Sequence, residues 1–149
     1  MTKRLRRLAP LGAAFAVAAA LAAFGSAAPR AATEDPPPYT VVDGKVDGGT
    51  FNGYRRYGNS CLQCHGPDGL GSSYAPSLVE SLKHLSREDF NNTVVNGRIN
   101  QAAGQQNVMP SFAHVEDVML YLDDIYGYLK ARSDGALGRG RPQRIPNAG

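Results

Sequence analysis

The sequence predicts an all-α fold of three to four short helices. Three observations predict it. Apolar residues recur at helical spacing between residues 50 and 132. No convincing alternating strand pattern competes with that spacing. The segment Cys61-Leu62-Gln63-Cys64-His65 has the C-x-x-C-H spacing that attaches haem to a polypeptide, which gives short helices a centre to pack around.

The chain divides into four segments. Residues 1–28 read as a secretory signal peptide: basic Lys3, Arg4, Arg6 and Arg7, an apolar run from Leu8 to Phe24, then small residues from Gly25 to Ala28. The run falls short of the ~20 apolar residues of a membrane span. Cleavage between Gly25 and Ala32 is therefore expected rather than a permanent membrane anchor, with Pro29 disfavouring a cut directly after Ala28. Export places the protein in the bacterial periplasm, where c-type haem is attached. Residues 29–49 form a Pro/Gly-rich extension stiffened by Pro36-Pro37-Pro38. Residues 50–132 hold the motifs and the periodic segments. Residues 133–149, with six Gly and Pro residues among few apolar groups, are expected to be an irregular or mobile tail.

Charge follows the same division. The formal net charge is +3, but the first four basic residues fall in the signal. From Pro29 onward twelve Lys and Arg face thirteen Asp and Glu, leaving the mature chain near −1. With no basic stripe interleaved with aromatics, nucleic-acid binding finds no support.

Thr50 is placed to cap a first helix through about Tyr57, with Phe51 and Tyr54 on one face. Gly53 inside it costs about 1 kcal/mol relative to Ala, which a close helix crossing would offset. Ser86-Arg87-Glu88-Asp89 has the form of a capping box opening a second helix, ended by Gly97, with Phe90, Val94 and Val95 facing inward. The last helix carries Val115, Val118, Met119, Leu122, Ile125, Tyr126 and Leu129 at helical spacing. Glu116 and Asp117 near its start and Lys130 and Arg132 near its end suit the helix dipole. Gly127 is a second thin position, and the first and last helices are expected to cross near Gly53 and Gly127.

Two thiols three positions apart can bond to the two vinyl groups of one porphyrin, and His65 is then held under the iron as an axial ligand. A structural zinc site needs four ligands, and the chain has two cysteines with no second pair at finger spacing. A thioredoxin-like pair needs a βαβ context, and a disulfide leaves His65 unexplained. The sixth iron position has four candidates: Met109, Met119, His84 and His114. Met119 sits on the apolar stripe, where packing accounts for it. Met109 lies in a loop, Gln105 to Phe112, where no helical face needs filling, and Pro110 restrains it toward extended backbone. His114 is the rival, and ligation by two nitrogens would lower the potential. The Pro76 carbonyl is a candidate acceptor for the second ring nitrogen of His65, an ordinary turn proline being the alternative. Gly66, Gly69 and Gly71 let the chain pass close to the porphyrin. Arg98 either contacts a propionate or ends its helix. Arg55-Arg56 and Arg139, Arg141 and Arg144 either steer docking or are solvated charges. Asp123 and Asp124 diverge along a helix and share no proton.

Cys61 to His65, Gly66-Pro67-Asp68-Gly69, Ala75-Pro76-Ser77-Leu78, Asn96-Gly97-Arg98, Val108-Met109-Pro110-Ser111-Phe112 and Tyr126-Gly127-Tyr128-Leu129 together resemble a small monohaem cytochrome c of the mitochondrial-like fold, over roughly residues 50–132. The resemblance implies one covalent haem c on Cys61 and Cys64, with His65 and Met109 as axial ligands, and an electron carrier rather than an enzyme. Asp43 to Asp47, Asn52 to Tyr57 and Asp134 to Pro142 are similar to segments of the periplasmic cytochromes associated with quinoprotein (PQQ-dependent) methanol and other alcohol dehydrogenases. That similarity implies methanol or alcohol metabolism, with electrons accepted from the dehydrogenase and passed toward a terminal oxidase or another cytochrome in a respiratory chain. Some cytochromes of these pathways carry extra cysteines; this chain has two. A generic periplasmic electron shuttle is the alternative. If Met109 does not ligate, an open-site haem enzyme or gas-binding protein is the expectation instead; if the cysteines pair, a non-redox module.

Overall fold

The computed structural model describes residues 36–102 and 105–146. The expected signal peptide, the start of the extension and the last three residues of the tail lie outside them. Among the described residues six helices form. Three are long: α1 (Gly48–Ser60), α4 (Arg87–Asn96) and α6 (Leu122–Ser133). Three are single turns or little more: α2 (Leu62–His65), α3 (Leu78–Ser81) and α5 (Glu116–Leu120). The all-α class holds, and the extra helices are short pieces between the long ones. The expected last helix is divided, because Tyr121 leaves helical geometry at φ −120°, ψ 26° and separates α5 from α6.

Asp47, not Thr50, caps α1. Its carboxylate accepts from the Thr50 amide at 2.8 Å, the Thr50 hydroxyl at 2.7 Å and the Thr40 amide at 2.6 Å. Burial alone would raise the Asp47 pKa; these donors outweigh it and hold the carboxyl below its usual range. Thr50 is the capped residue, buried on the inner face with Gly53 and Tyr57. α4 follows its sequence signature: Ser86 accepts from the Asp89 amide, Phe90 and Val94 are buried, and Gly97 ends it at φ 75°.

α1 and α6 pack most closely of all the helix pairs. An atom added at Gly53 would lie 1.8 Å from the Asp124 carbonyl oxygen, so the missing side chain is the crossing point. Gly127 serves a different neighbour from the one expected. It faces the Pro38 carbonyl, at 2.5 Å from an added Cβ, so its thinness admits the N-terminal extension and not α1. Tyr57 and Tyr54 of α1 both pack on Tyr128 of α6, with ring centroids 5.6 Å apart in each case. The core continues through Leu82, Phe90, Val94, Val118, Leu122, Ile125, Tyr126 and Leu129.

Two small sheets depart from the purely helical expectation. β1 (Val41–Val42) and β2 (Lys45–Val46) form a hairpin whose turn residues, Asp43 and Gly44, both have positive φ, as the Asp-Gly pair of a primed turn requires. β5 (Gln143–Arg144) runs parallel to β2, and the Ile145 amide bonds the Val46 carbonyl at 2.8 Å. The tail expected to be irregular thus contributes a strand, and Leu137 anchors it in the core. β3 (Arg98–Ala102) and β4 (Gln105–Met109) make a second antiparallel hairpin with Arg98 opposite Met109. Met109 therefore ends a strand and does not lie in a plain loop.

Gly53 and Gly58 provide a controlled pair. Gly53→Ala is expected to destabilise by about 3 kcal/mol or more, since backbone must move. Gly58→Ala, with nothing within 4 Å of the added atom, is expected to stabilise by about 0.5–1 kcal/mol. Urea denaturation of both variants checks this, and equal stabilities would refute the crossing-point role.

Candidate functional site

The C-terminal end of α1 runs directly into the C-x-x-C-H turn. The Cys61 amide bonds the Tyr57 carbonyl at 2.9 Å and the His65 amide bonds the Cys61 carbonyl at 2.9 Å, so helical spacing is carried through the motif. Cys61 and Cys64, three apart on one turn, share a side of it. Cys61 is half-buried and Cys64 exposed, and both are free thiols. Burial, with a smaller contribution from Cys64, pushes the Cys61 thiol up to about 11.

His65 is 7% exposed. Its Nδ1 lies 3.0 Å from the Pro76 carbonyl oxygen. A carbonyl only accepts, so Nδ1 carries the proton and Nε2 keeps its lone pair for a metal. The loop between them is closed by the Gly71 amide on the His65 carbonyl at 2.7 Å. Gly71, at φ 87°, is needed there: a side chain would meet the Ser77 amide nitrogen at 2.7 Å. Tyr57, buried in α1, donates its hydroxyl to the Gly66 carbonyl. Burial pushes the Tyr57 phenol well above its usual range and keeps it a donor.

Cys61 and His65 line an almost wholly apolar cavity together with Met109. The rest of its wall comes from Leu78 of α3, Leu85, Phe90, Thr93 and Val94 of α4, Phe112, Val118 of α5, and Leu122, Ile125 and Leu129 of α6. Met109 is held by its neighbours. The Phe112 amide bonds the Val94 carbonyl at 3.0 Å and the Ser111 hydroxyl bonds the Val95 carbonyl at 2.5 Å. Two carbonyls left unpaired at the end of α4 thereby become the anchor of the methionine segment. Gly97 completes the seat, since an added Cβ would lie 2.6 Å from the Met109 carbonyl oxygen.

The other ligand candidates stay outside. His84 and His114 are exposed, and Met119 is half-buried without lining the cavity. Arg98 is exposed at the start of β3. Arg55 is exposed, whereas Arg56 pairs with Asp117 at 2.5 Å and stacks over Tyr121 at 4.3 Å, tying α1 to α5. Arg139 lies 3.2 Å from Asp68, and Arg141 lies over Phe51 at 5.7 Å. Among the described residues no group of three or more His, Cys, Asp or Glu side chains is placed to hold a metal ion.

Asp68 and Phe112 hold roles in the structure that the motifs containing them do not single out, and their signals are local. Asp68 lies inside the glycine-rich stretch after the motif, and Phe112 follows the Met-Pro-Ser segment. The donor set fits a haem: two thiols on one turn, an imidazole whose other nitrogen is already committed, and a thioether lining the same apolar cavity.

Comparisons with known proteins agree with that chemistry. Residues 50–129 match the family described as "Cytochrome C oxidase, cbb3-type, subunit III". Cytochrome c-553I of Paracoccus denitrificans is 46% identical over 74% of this chain and 50% of its own length. This chain thus spans half of that relative. Cytochrome c-555 of Methylococcus capsulatus is 39% identical over 66% of this chain and 75% of its own. The crystal structure of the c-type cytochrome XoxG from Methylobacterium extorquens AM1 is similar with a TM-score of 0.65 and 46% identity, over 74% of this chain and 68% of that one.

Gly97→Ala is expected to lift the Met109 segment off α4 and to cost about 2–3 kcal/mol, from both the clash and the positive φ. Faster hydrogen exchange at the Phe112 amide reports it. A variant of parental stability with that amide still protected would contradict the seat.

Proposed function

From the premise that this chain belongs to the c-type cytochromes, electron carriers with covalently bound haem c, we propose that it is a periplasmic carrier serving a quinoprotein (PQQ-dependent) methanol or other alcohol dehydrogenase. When bound, haem c supplies a one-electron ferric/ferrous couple. Cys61 and Cys64 would hold the porphyrin through thioethers, and His65 and Met109 would ligate its iron. The observation that carries this assignment is the convergence of Cys61, His65 and Met109 on one apolar cavity, with His65 Nδ1 committed to Pro76. Phe90, Phe112 and the α6 leucines exclude water. With His65 and Met109 both on the iron, the ligands would change little between oxidation states and no position would be left for a substrate.

The proposed organisation is a cleaved signal at 1–28, an extension at 29–49, the cytochrome domain at 50–132 and a tail at 133–149. Among the described residues no helix is long and apolar enough to cross a membrane. The narrower assignment rests on Asp43 to Asp47, Asn52 to Tyr57 and Asp134 to Pro142, the segments similar to dehydrogenase-associated cytochromes. Electrons accepted from the dehydrogenase pass to a terminal oxidase or another cytochrome, through contacts that are small and short-lived.

Met109→Ala should open the iron, so that the reduced variant binds carbon monoxide at neutral pH while the parent does not. Carbon monoxide binding by the parent would remove Met109 from the ligand set. Stopped-flow mixing with a purified quinoprotein alcohol dehydrogenase and its alcohol should reduce the parent with a rate that rises with dehydrogenase concentration. Failure to accept electrons there removes the dehydrogenase assignment and leaves the carrier.

A further inference from the structure

Three residues beyond His65, Asp68 sits at φ 61° in the turn Pro67–Gly69 with its side chain 10% exposed. Its carboxylate takes two hydrogen bonds and one ion pair from the C-terminal part of the chain. Arg132, on the last turn of α6 and 3% exposed, lies 3.6 Å away. Arg139 reaches it at 3.2 Å through Nε, and the Gly140 amide bonds it at 3.0 Å. Arg132 also donates to the Gly138 carbonyl, so the same guanidinium fastens the tail on both sides. The turn so gripped is the one that Gly71 closes onto the His65 carbonyl, and Gly69 within it packs on Leu129 of the cavity wall, 3.0 Å from an added Cβ.

We propose that Asp68 is a positioning residue: by taking Arg132, Arg139 and the Gly140 amide together it locks the tail onto the turn after the attachment motif and so fixes the His65 side of the haem site. This rests on the reading of Cys61 to His65 as the haem attachment site. The role is mechanical rather than through charge. An anion bound by two guanidiniums and an amide has little field left over, whereas the loop it holds carries the Pro76 acceptor of the imidazole and is otherwise tied, among the described residues, only within itself and to α1 and the motif, by the Gly71 amide on the His65 carbonyl, Tyr57 on the Gly66 carbonyl, and the Ser72 and Ser77 hydroxyls on the Cys64 and Gly69 carbonyls.

The test uses the full-length haem-loaded protein. Asp68→Glu keeps the charge but displaces the carboxylate by one methylene, so the two hydrogen bonds and the ion pair no longer meet it together. Arg139→Gln, at a side chain 73% exposed, removes one donor without a folding risk. Amide hydrogen exchange at Gly71 and Gly140 and the midpoint potential are read in both. Expected are exchange about tenfold faster at both amides in Asp68→Glu, and a smaller rise in Arg139→Gln. The potential should fall in Asp68→Glu, because water reaching a loosened site favours the ferric charge. A clamp that serves the tail alone would speed Gly140 while Gly71 and the potential keep their parental values, and that result overturns the proposal. A pyridine haemochrome on the parent protein reports covalent haem separately; its absence removes the premise, and with it the proposal.

Discussion

The crossing of α1 over α6 at Gly53 is the contact on which the rest depends. Backbone meets backbone there, with room for a hydrogen and nothing larger. α1 delivers Cys61 and His65 from its C-terminal end, and α6 supplies Leu122, Ile125 and Leu129 to the facing wall. The depth of this one crossing therefore sets the distance between the attachment motif and the surface it works against. The three tyrosine rings beside it fill the space that a closer approach leaves between the helices, and being large and stiff they hold the crossing angle.

The site is then held by carbonyl oxygens rather than by helices. His65 is oriented by Pro76, the motif turn by Tyr57 on Gly66, and the methionine segment by Ser111 and Phe112 on the last carbonyls of α4. Each contact satisfies a polar group that burial would otherwise leave unpaired. Each also reaches across the chain from one segment to another, so an irregular backbone acquires a fixed shape without forming regular structure. That is why proline and glycine concentrate here: Pro76 offers an acceptor with no competing donor, and Gly71 and Gly97 permit approaches that any side chain would block.

Legibility in the sequence followed the range of the interaction. The Ser86 cap, the buried face of α4 and the apolar stripe of the last helix are fixed by neighbours three or four residues apart, and all were readable. His65 with Pro76 was readable only as one of two alternatives, the acceptor a ligating histidine demands or an ordinary turn proline, and the 3.0 Å contact decides it. The break at Tyr121 was not readable, since helical spacing continues across it. The Asp47 cap is masked by Thr50, although an acid three residues ahead of a threonine is itself a capping pattern. The Asp43-Gly44 turn carried a plain hairpin signal between apolar residues. The pairing of β5 with β2 carried none, because it joins residues about a hundred apart through backbone groups that every residue shares. Gly127 was read as thin, correctly, but sequence names no neighbour, and its neighbour is Pro38.

The buried guanidinium of Arg132 shows what such long-range pairing is for. Its Nε has no partner, and nearby the buried Tyr128 hydroxyl has none either, its phenol pushed by burial up to about 12. Desolvating a charge in that setting costs several kcal/mol, and an apolar residue of similar size would often be the more stable choice. Stability alone therefore does not account for an arginine at this position. Register does. A leucine there would pack against whatever apolar surface came near, whereas the two terminal nitrogens of a guanidinium find partners only where Asp68 and the Gly138 carbonyl meet it together. Asp68, in turn, is gathered into place only with the tail laid across the motif turn. A chain proposed to work by holding one imidazole still gains more from a contact with one solution than from a contact with many.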